Sequence, residues 1–229
     1  MDFTYLLIIL FIFVLLIIKK LFSIIDKANI VDWEHGWANR IDGLLRIFCY
    51  RFHGLEKKYI TLPDSGPAIV VANHISGLDP LLLIAASKRP LRFLIAREEY
   101  DRFGLQWLFK AAGCIPVDRA SNPEKALRQA LLAIDKGEVV AIFPQGKIQW
   151  PITEKSPFRI KGGAIRLAQR KKIPLIPVVV DGVGLKGATM LAVLKRSTAV
   201  LSFDNALSCE SMSYDECLEV LAQKLNKVS

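Results

Sequence analysis

The unbroken apolar run from Phe3 to Ile18 constrains this chain most. It has no polar face, so as a helix it has no surface suited to water and must be buried in protein or in lipid. At about 1.5 Å per residue the run spans about 24 Å, slightly short of a ~30 Å hydrocarbon core. Leu21 and Phe22 extend it if Lys19 and Lys20 snorkel toward the headgroups. The start Met-Asp-Phe carries no basic region, and no small-residue cleavage site follows the run, which argues against a removed secretory signal. Residues 1–22 are therefore expected to be a membrane anchor. The two lysines on its C-terminal side place the rest of the chain on the cytoplasmic face by the positive-inside rule.

Residues 30–60 are expected to form a second membrane element with its linker. Trp33, Trp37, Ile41, Leu44, Leu45, Phe48 and Phe52 recur at helical spacing, and Arg40, Arg46 and Arg51 lie off that stripe. A basic amphipathic helix with tryptophans at one end suits the headgroup zone, although packing on a protein core would produce the same stripe. The formal net charge is +9. Beside an anchor helix this favours an anionic lipid surface as partner. Nucleic acid is not expected, because no zinc-finger spacing, RNA-binding signature or basic zipper is present. The four cysteines (Cys49, Cys114, Cys209, Cys217) include no Cys-x-x-Cys pair, which argues against structural zinc or a disulfide framework and fits a reducing compartment.

Residues 61–229 read as one α/β domain, a mixed, largely parallel sheet covered by helices. Strands are expected at Ala68–Val71, Arg92–Ala96, Cys114–Val117, Val139–Phe143, Leu175–Val180 and Thr198–Phe203. Helices are expected at Pro80–Ser87, Leu105–Ala112, from Asn122 to about Lys136, at Lys161–Arg170 and at Tyr214–Lys227. Ligands in open α/β sheets bind at the C-terminal ends of strands. His74 follows the first strand, with Asp79 five residues on at the mouth of the next helix. Asp79 is a good N-cap and Pro80 suits the first helical position. A histidine whose second nitrogen is held by a carboxylate is a ready general base near neutral pH. Arg119 follows the third strand and Gln145-Gly146 the fourth, so three loops are expected to converge on one cleft. No Walker or Gly-x-Ser-x-Gly sequence is present.

Asn73-His74-(four residues)-Asp79 resembles the first signature of the 1-acylglycerol-3-phosphate acyltransferase family of glycerolipid acyltransferases. Three further segments follow in the family's order. Gly113 to Arg119 resembles the second block, and Phe143-Pro144-Gln145-Gly146 resembles the third, whose usual form is Phe-Pro-Glu-Gly followed by Thr-Arg. Ile173 to Val178 resembles the fourth, an apolar strand with internal proline. The likeness covers roughly Pro67 to Asp181.

This resemblance implies that His74 and Asp79 are catalytic. The pair would act directly on a lipid hydroxyl, with no acyl-enzyme, no cofactor and no metal. It implies an acyl-CoA or acyl carrier protein donor and a lysophospholipid acceptor, 1-acylglycerol 3-phosphate, converted to phosphatidate. Asn73, Ser76, Arg119, Gln145, Gly146, Lys147, Arg159 and Lys161 are the substrate-binding candidates, Arg119 foremost for the acceptor phosphate. The third block departs from the family, since Gln145 stands in place of glutamate, Lys147 in place of threonine or serine and Ile148 in place of arginine. Another lysophospholipid or a glycolipid acceptor therefore stays open, as do a non-catalytic lipid-binding protein and a hydrolase.

Overall fold

The computed structural model describes residues 3–118, 123–150 and 160–226. Helix α1 (Phe3–Ala28) buries none of its side chains. Among the described residues it is the one helix long and apolar enough to cross a membrane. It is longer than the sequence reading expected. The helix passes through Lys19 and Lys20, which are good helix formers, and spans about 39 Å by its rise.

Helix α2 (Gly36–Arg51) packs back on α1. Gly43 sits at the crossing, where a Cβ would strike the Ile25 carbonyl oxygen. The buried face of α2 is Asp42, Gly43, Arg46 and Cys49, not the apolar stripe. Arg46, read from the sequence as off the stripe, is fully buried. Its guanidinium bonds Asp42 Oδ2 at 2.6 Å and donates to the carbonyls of Ala85 and Ser87 at 2.8 Å each. Tyr50 Oη also donates to Ala85 O, at 2.6 Å. An ion pair four residues apart thus neutralises the charge, and the C-terminal carbonyls of the next helix take the remaining N–H groups.

That helix, α3 (Asp79–Ala85), follows the central strand β1 (Ala68–Ala72). The other strands are β2 (Leu91–Ala96), β3 (Ile115–Val117), β4 (Val139–Ile142), β5 (Leu175–Asp181) and β6 (Val200–Phe203). Their order is β3-β2-β4-β1-β5-β6, parallel throughout except for β6 against β5. Every residue of β1 is buried, as expected for a parallel strand covered on both faces. Val70, Phe93 and Val178 meet α2, α3 and α5 (Gln106–Ala111) on one side. Ile69, Val71 and Val140 meet α6 (Pro123–Asp135), α7 (Gly163–Lys171) and α9 (Tyr214–Leu225) on the other.

All six strands fall where the hydrophobic runs predict. Two short helices were not anticipated, α4 (Arg97–Tyr100) and α8 (Met190–Leu194). The three loops expected to converge do not all come from adjacent strands, because β2 lies between β3 and β4. The cysteine reading also needs correction in one respect. Cys209 and Cys217 pair as a disulfide with Cα atoms 5.7 Å apart, pinning the loop before α9 to α9 itself. Cys49 and Cys114 are buried thiols.

Arg46, neutralised by Asp42 on the same helix, joins the N-terminal helices to the sheet domain through the Ala85 and Ser87 carbonyls. Arg46→Ala strands the Asp42 carboxylate in the interior, and an unfolding titration should show a loss of about 3–5 kcal/mol. An unchanged midpoint would mean that the pair is not buried in solution.

Candidate active site

The loop between β1 and α3 is built around one carboxylate. Asp79 is fully buried. Its Oδ2 accepts from Ile75 N at 2.7 Å and Ser76 N at 2.9 Å, and lies 2.9 Å from His74 Nδ1. Its Oδ1 accepts from Ser76 Oγ at 2.5 Å. The expected helix cap is not what forms. Leu78 holds the N-cap position without a side-chain cap bond, and Asp79 sits in the first turn of α3. Its carboxylate reaches back to the loop instead, while the helix dipole still favours its charge there. With Asp79 accepting from Nδ1–H, Nε2 is the basic nitrogen of His74.

The imidazole is fixed from other directions too. It stacks on Phe143 with ring centroids 4.2 Å apart. His74 N donates to Gln145 Oε1, and Gln149 N donates to His74 O at 2.8 Å. Gln145 Nε2 is buried without a hydrogen-bond partner among the described residues. A glutamate could accept the His74 N–H equally well, so glutamine preserves this brace where the family carries an acid. Gly146 adopts φ 75°, and a Cβ there would lie 3.0 Å from Lys161 Nζ. This turn after β4 therefore needs glycine.

His74 stands in the wall of an apolar cavity of about 950 Å³. Trp37 and Ile41 of α2, Leu81 of α3, and Phe93 and Ile95 of β2 contribute to its lining. Strand β2 pairs with β4 only as far as Phe93 and then turns to pair with β3. The cavity is also lined by Leu94, Ile142 and Phe143, near where the two strands part. Lys147 and Lys161 join the same wall, so the structure brings both candidate cations into the cavity with His74. Cys114 lines it too, but burial pushes its thiol up to about 11. It is therefore protonated at neutral pH and is no nucleophile.

Two substrate-binding candidates make hydrogen bonds within the fold. Asn73 is fully buried, its Nδ2 donating to Val180 O at 2.9 Å and its Oδ1 accepting from Val180 N at 2.6 Å. It clamps the end of β1 to β5 through both of its side-chain polar atoms. Ser76, also buried, accepts from Leu78 N at 3.2 Å and donates to Asp79. Arg119 and Arg159 lie outside the described residues. The sequence reading passed over Phe143 as a partner for the histidine, although an aromatic ending β4 beside the loop was a usable signal. It also missed Gly77, where a Cβ would lie 2.5 Å from the Thr189 carbonyl oxygen, because nothing in sequence links residues so far apart.

A protein-family model described as Acyltransferase matches residues 50–181. The chain belongs to the acyltransferase family. A protein of Mycoplasma pneumoniae named "Probable 1-acyl-sn-glycerol-3-phosphate acyltransferase" is 30% identical over 186 residues, covering 75% of this chain and 66% of that relative. A Mycoplasma genitalium protein of the same name is 34% identical over 136 residues, 55% of this chain and 49% of its own length. The matches thus span about half to two thirds of these relatives. The crystal structure of the 1-acyl-sn-glycerophosphate (LPA) acyltransferase PlsC from Thermotoga maritima matches with a TM-score of 0.60 at 18% identity, over 83% of this chain and 80% of that one. That likeness is one of fold.

Asn73→Ala leaves the Val180 N–H and C=O unpaired in the interior and should lower stability by about 1–3 kcal/mol by thermal or urea unfolding. A variant as stable as the parent would overturn the clamp role.

Proposed function

We propose that this member of the acyltransferase family moves a fatty acyl group from a thioester, of CoA or acyl carrier protein, to the sn-2 hydroxyl of 1-acylglycerol 3-phosphate, giving phosphatidate. The observation that carries this reading is the His74–Asp79 pair in the wall of a large apolar cavity. The imidazole is only 17% exposed and its partner carboxylate is fully buried. Such a pair is held in one orientation before substrate arrives.

In this mechanism His74 Nε2 takes the proton from the sn-2 hydroxyl as its oxygen attacks the thioester carbonyl carbon. Asp79 steadies the imidazolium that forms. Collapse of the tetrahedral adduct breaks the C–S bond, and the departing sulfur recovers the proton from His74. Ser76 acts through Asp79 as a positioning residue, and Gln145 acts on His74 through its backbone N–H. Acyl chains occupy the apolar cavity, where burial contributes about 0.8 kcal/mol per methylene. Lys147 and Lys161 bind the acceptor phosphate, assisted by Arg119, which the family resemblance marks for that role. Residues 1–22 anchor the chain in the membrane, residues 30–60 lie at its interface, and the acyltransferase domain at 61–229 faces the cytoplasm beside an anionic lipid surface. The orientation rests on Lys19 and Lys20 at the end of the anchor.

His74→Ala should cost at least ~100-fold in turnover while leaving vesicle association unchanged; a variant of equal activity would remove this mechanism. A panel of lysolipids with a single acyl donor tests the acceptor. Acylation of lysophosphatidate in preference to lysophospholipids with other headgroups is expected. No product from lysophosphatidate would contradict the reading, and fatty acid released without any acceptor would make the protein a hydrolase.

A further inference from the structure

Helix α8 lies in the return from β5 to β6 and has two unlike faces. Ala192 is buried in the core and Val193 lines the cavity. Met190, Leu191 and Leu194 are 54%, 65% and 70% exposed. These three positions share one side of the helix, so the exposed apolar surface is a stripe rather than scattered side chains. Residues 182–203 include Lys186, Lys195 and Arg196 and no acidic residue. Lys186 pairs with Asp181 at 2.6 Å. Lys195 and Arg196 stand exposed just past the C-terminal end of α8.

The stripe is mounted rigidly. His53, buried just beyond α2, places Nε2 3.1 Å from Val193 O and Nδ1 2.7 Å from Ser197 Oγ, and its own carbonyl accepts from Ala199 N at 2.7 Å. Burial holds its pKa below the usual histidine range, which keeps the ring neutral at neutral pH. At the other end of the segment, Gly77 N in the catalytic loop donates to Ala188 O at 2.9 Å. The helix is thus fastened between the end of α2 and the His74 loop. Met190 and Val193 line the same cavity as Trp37, Ile41 and His74.

We propose that α8 is a further membrane-contact element, in which Met190, Leu191 and Leu194 enter the leaflet that holds α1 while Lys195 and Arg196 meet anionic lipid headgroups. The mouth of the cavity between α2 and α8 then opens toward lipid. The proposal rests on the membrane reading given above. A bilayer rather than a protein partner is indicated by two observations. Lys195 and Arg196 directly follow the stripe and residues 182–203 include no acidic residue, which suits an anionic surface and adds to apolar insertion. The stripe also borders a cavity that α2 lines in turn, and α2 packs on the apolar α1, which has no buried residue.

The test uses the full chain with an environment-sensitive fluorophore at Leu194→Cys, reconstituted in phosphatidylcholine–phosphatidylglycerol vesicles that contain a lipid-borne quencher. The same probe at Glu219→Cys, exposed on α9, serves as control. Quenching at position 194 and none at 219 is expected. The double change Lys195→Glu, Arg196→Glu should remove more than half of the quenching at 194. A chain that floats with vesicles but shows equal quenching at both positions, or none at 194, overturns the role of α8 and leaves the α1 anchor standing. A chain that does not float overturns both. Quenching that persists after charge reversal overturns the part assigned to Lys195 and Arg196.

Discussion

The buried carboxylate of Asp79 is the interaction on which the rest of the site depends. It accepts hydrogen bonds from the N–H groups of Ile75 and Ser76, from the Ser76 hydroxyl and from the His74 ring. A buried carboxylate with fewer donors would favour its neutral form, since desolvation penalises the charge. Here the loop that carries the histidine also supplies every one of these hydrogen-bond donors to the buried acid. Folding of the six residues His74 to Asp79 thereby fixes the ring, its tautomer and its acid partner in one step. The surrounding braces are aimed at the same segment. Asn73 secures the strand end, Gln145 and Gln149 hold the His74 backbone, and the segment through Ala188 and Thr189 closes on Gly77.

The second structural dependency is the bond between the N-terminal helices and the sheet. Arg46 grips the C-terminal carbonyls around α3 while Asp79 occupies the first turn of the same helix. One short helix therefore connects the N-terminal helices at one end to the reacting loop at the other. Burying an ion pair is a poor route to stability compared with apolar packing. Its value here is orientation: the guanidinium has a fixed fork geometry and finds all its partners in only one docking of α2. The cavity lies between these parts, so the docking of α2 shapes the walls that would receive acyl chains.

Much of this was legible in the sequence for identifiable reasons. Central strands in a parallel sheet must be apolar on both faces, and runs such as Ala68–Ala72 and Leu175–Val180 show it directly. The His74–Asp79 spacing was legible because a strand-to-helix loop is short and its residues are local. What escaped involved contacts between distant segments. Arg46 read only as a basic residue off the apolar stripe, because only the fold brings the Ala85 and Ser87 carbonyls to it. Asn73 looked like a ligand-binding residue because its partner, Val180, lies on a strand more than a hundred residues away. Gln145 looked like a change of chemistry, yet its oxygen still accepts the backbone N–H of His74. The exposed stripe of α8 left no periodic signal, since a helix this short falls below the window in which helical spacing is readable.

The central claim is that Asp79 holds His74 with Nδ1 protonated and Nε2 bare, ready to receive a proton. Nitrogen-15 chemical shifts of the His74 ring, measured on the full chain in detergent micelles above the pH at which the ring titrates, test it most directly. The account predicts a protonated Nδ1 and an unprotonated Nε2, with Asp79→Asn disturbing that preference. A ring that carries its proton on Nε2 in the unaltered protein would contradict it.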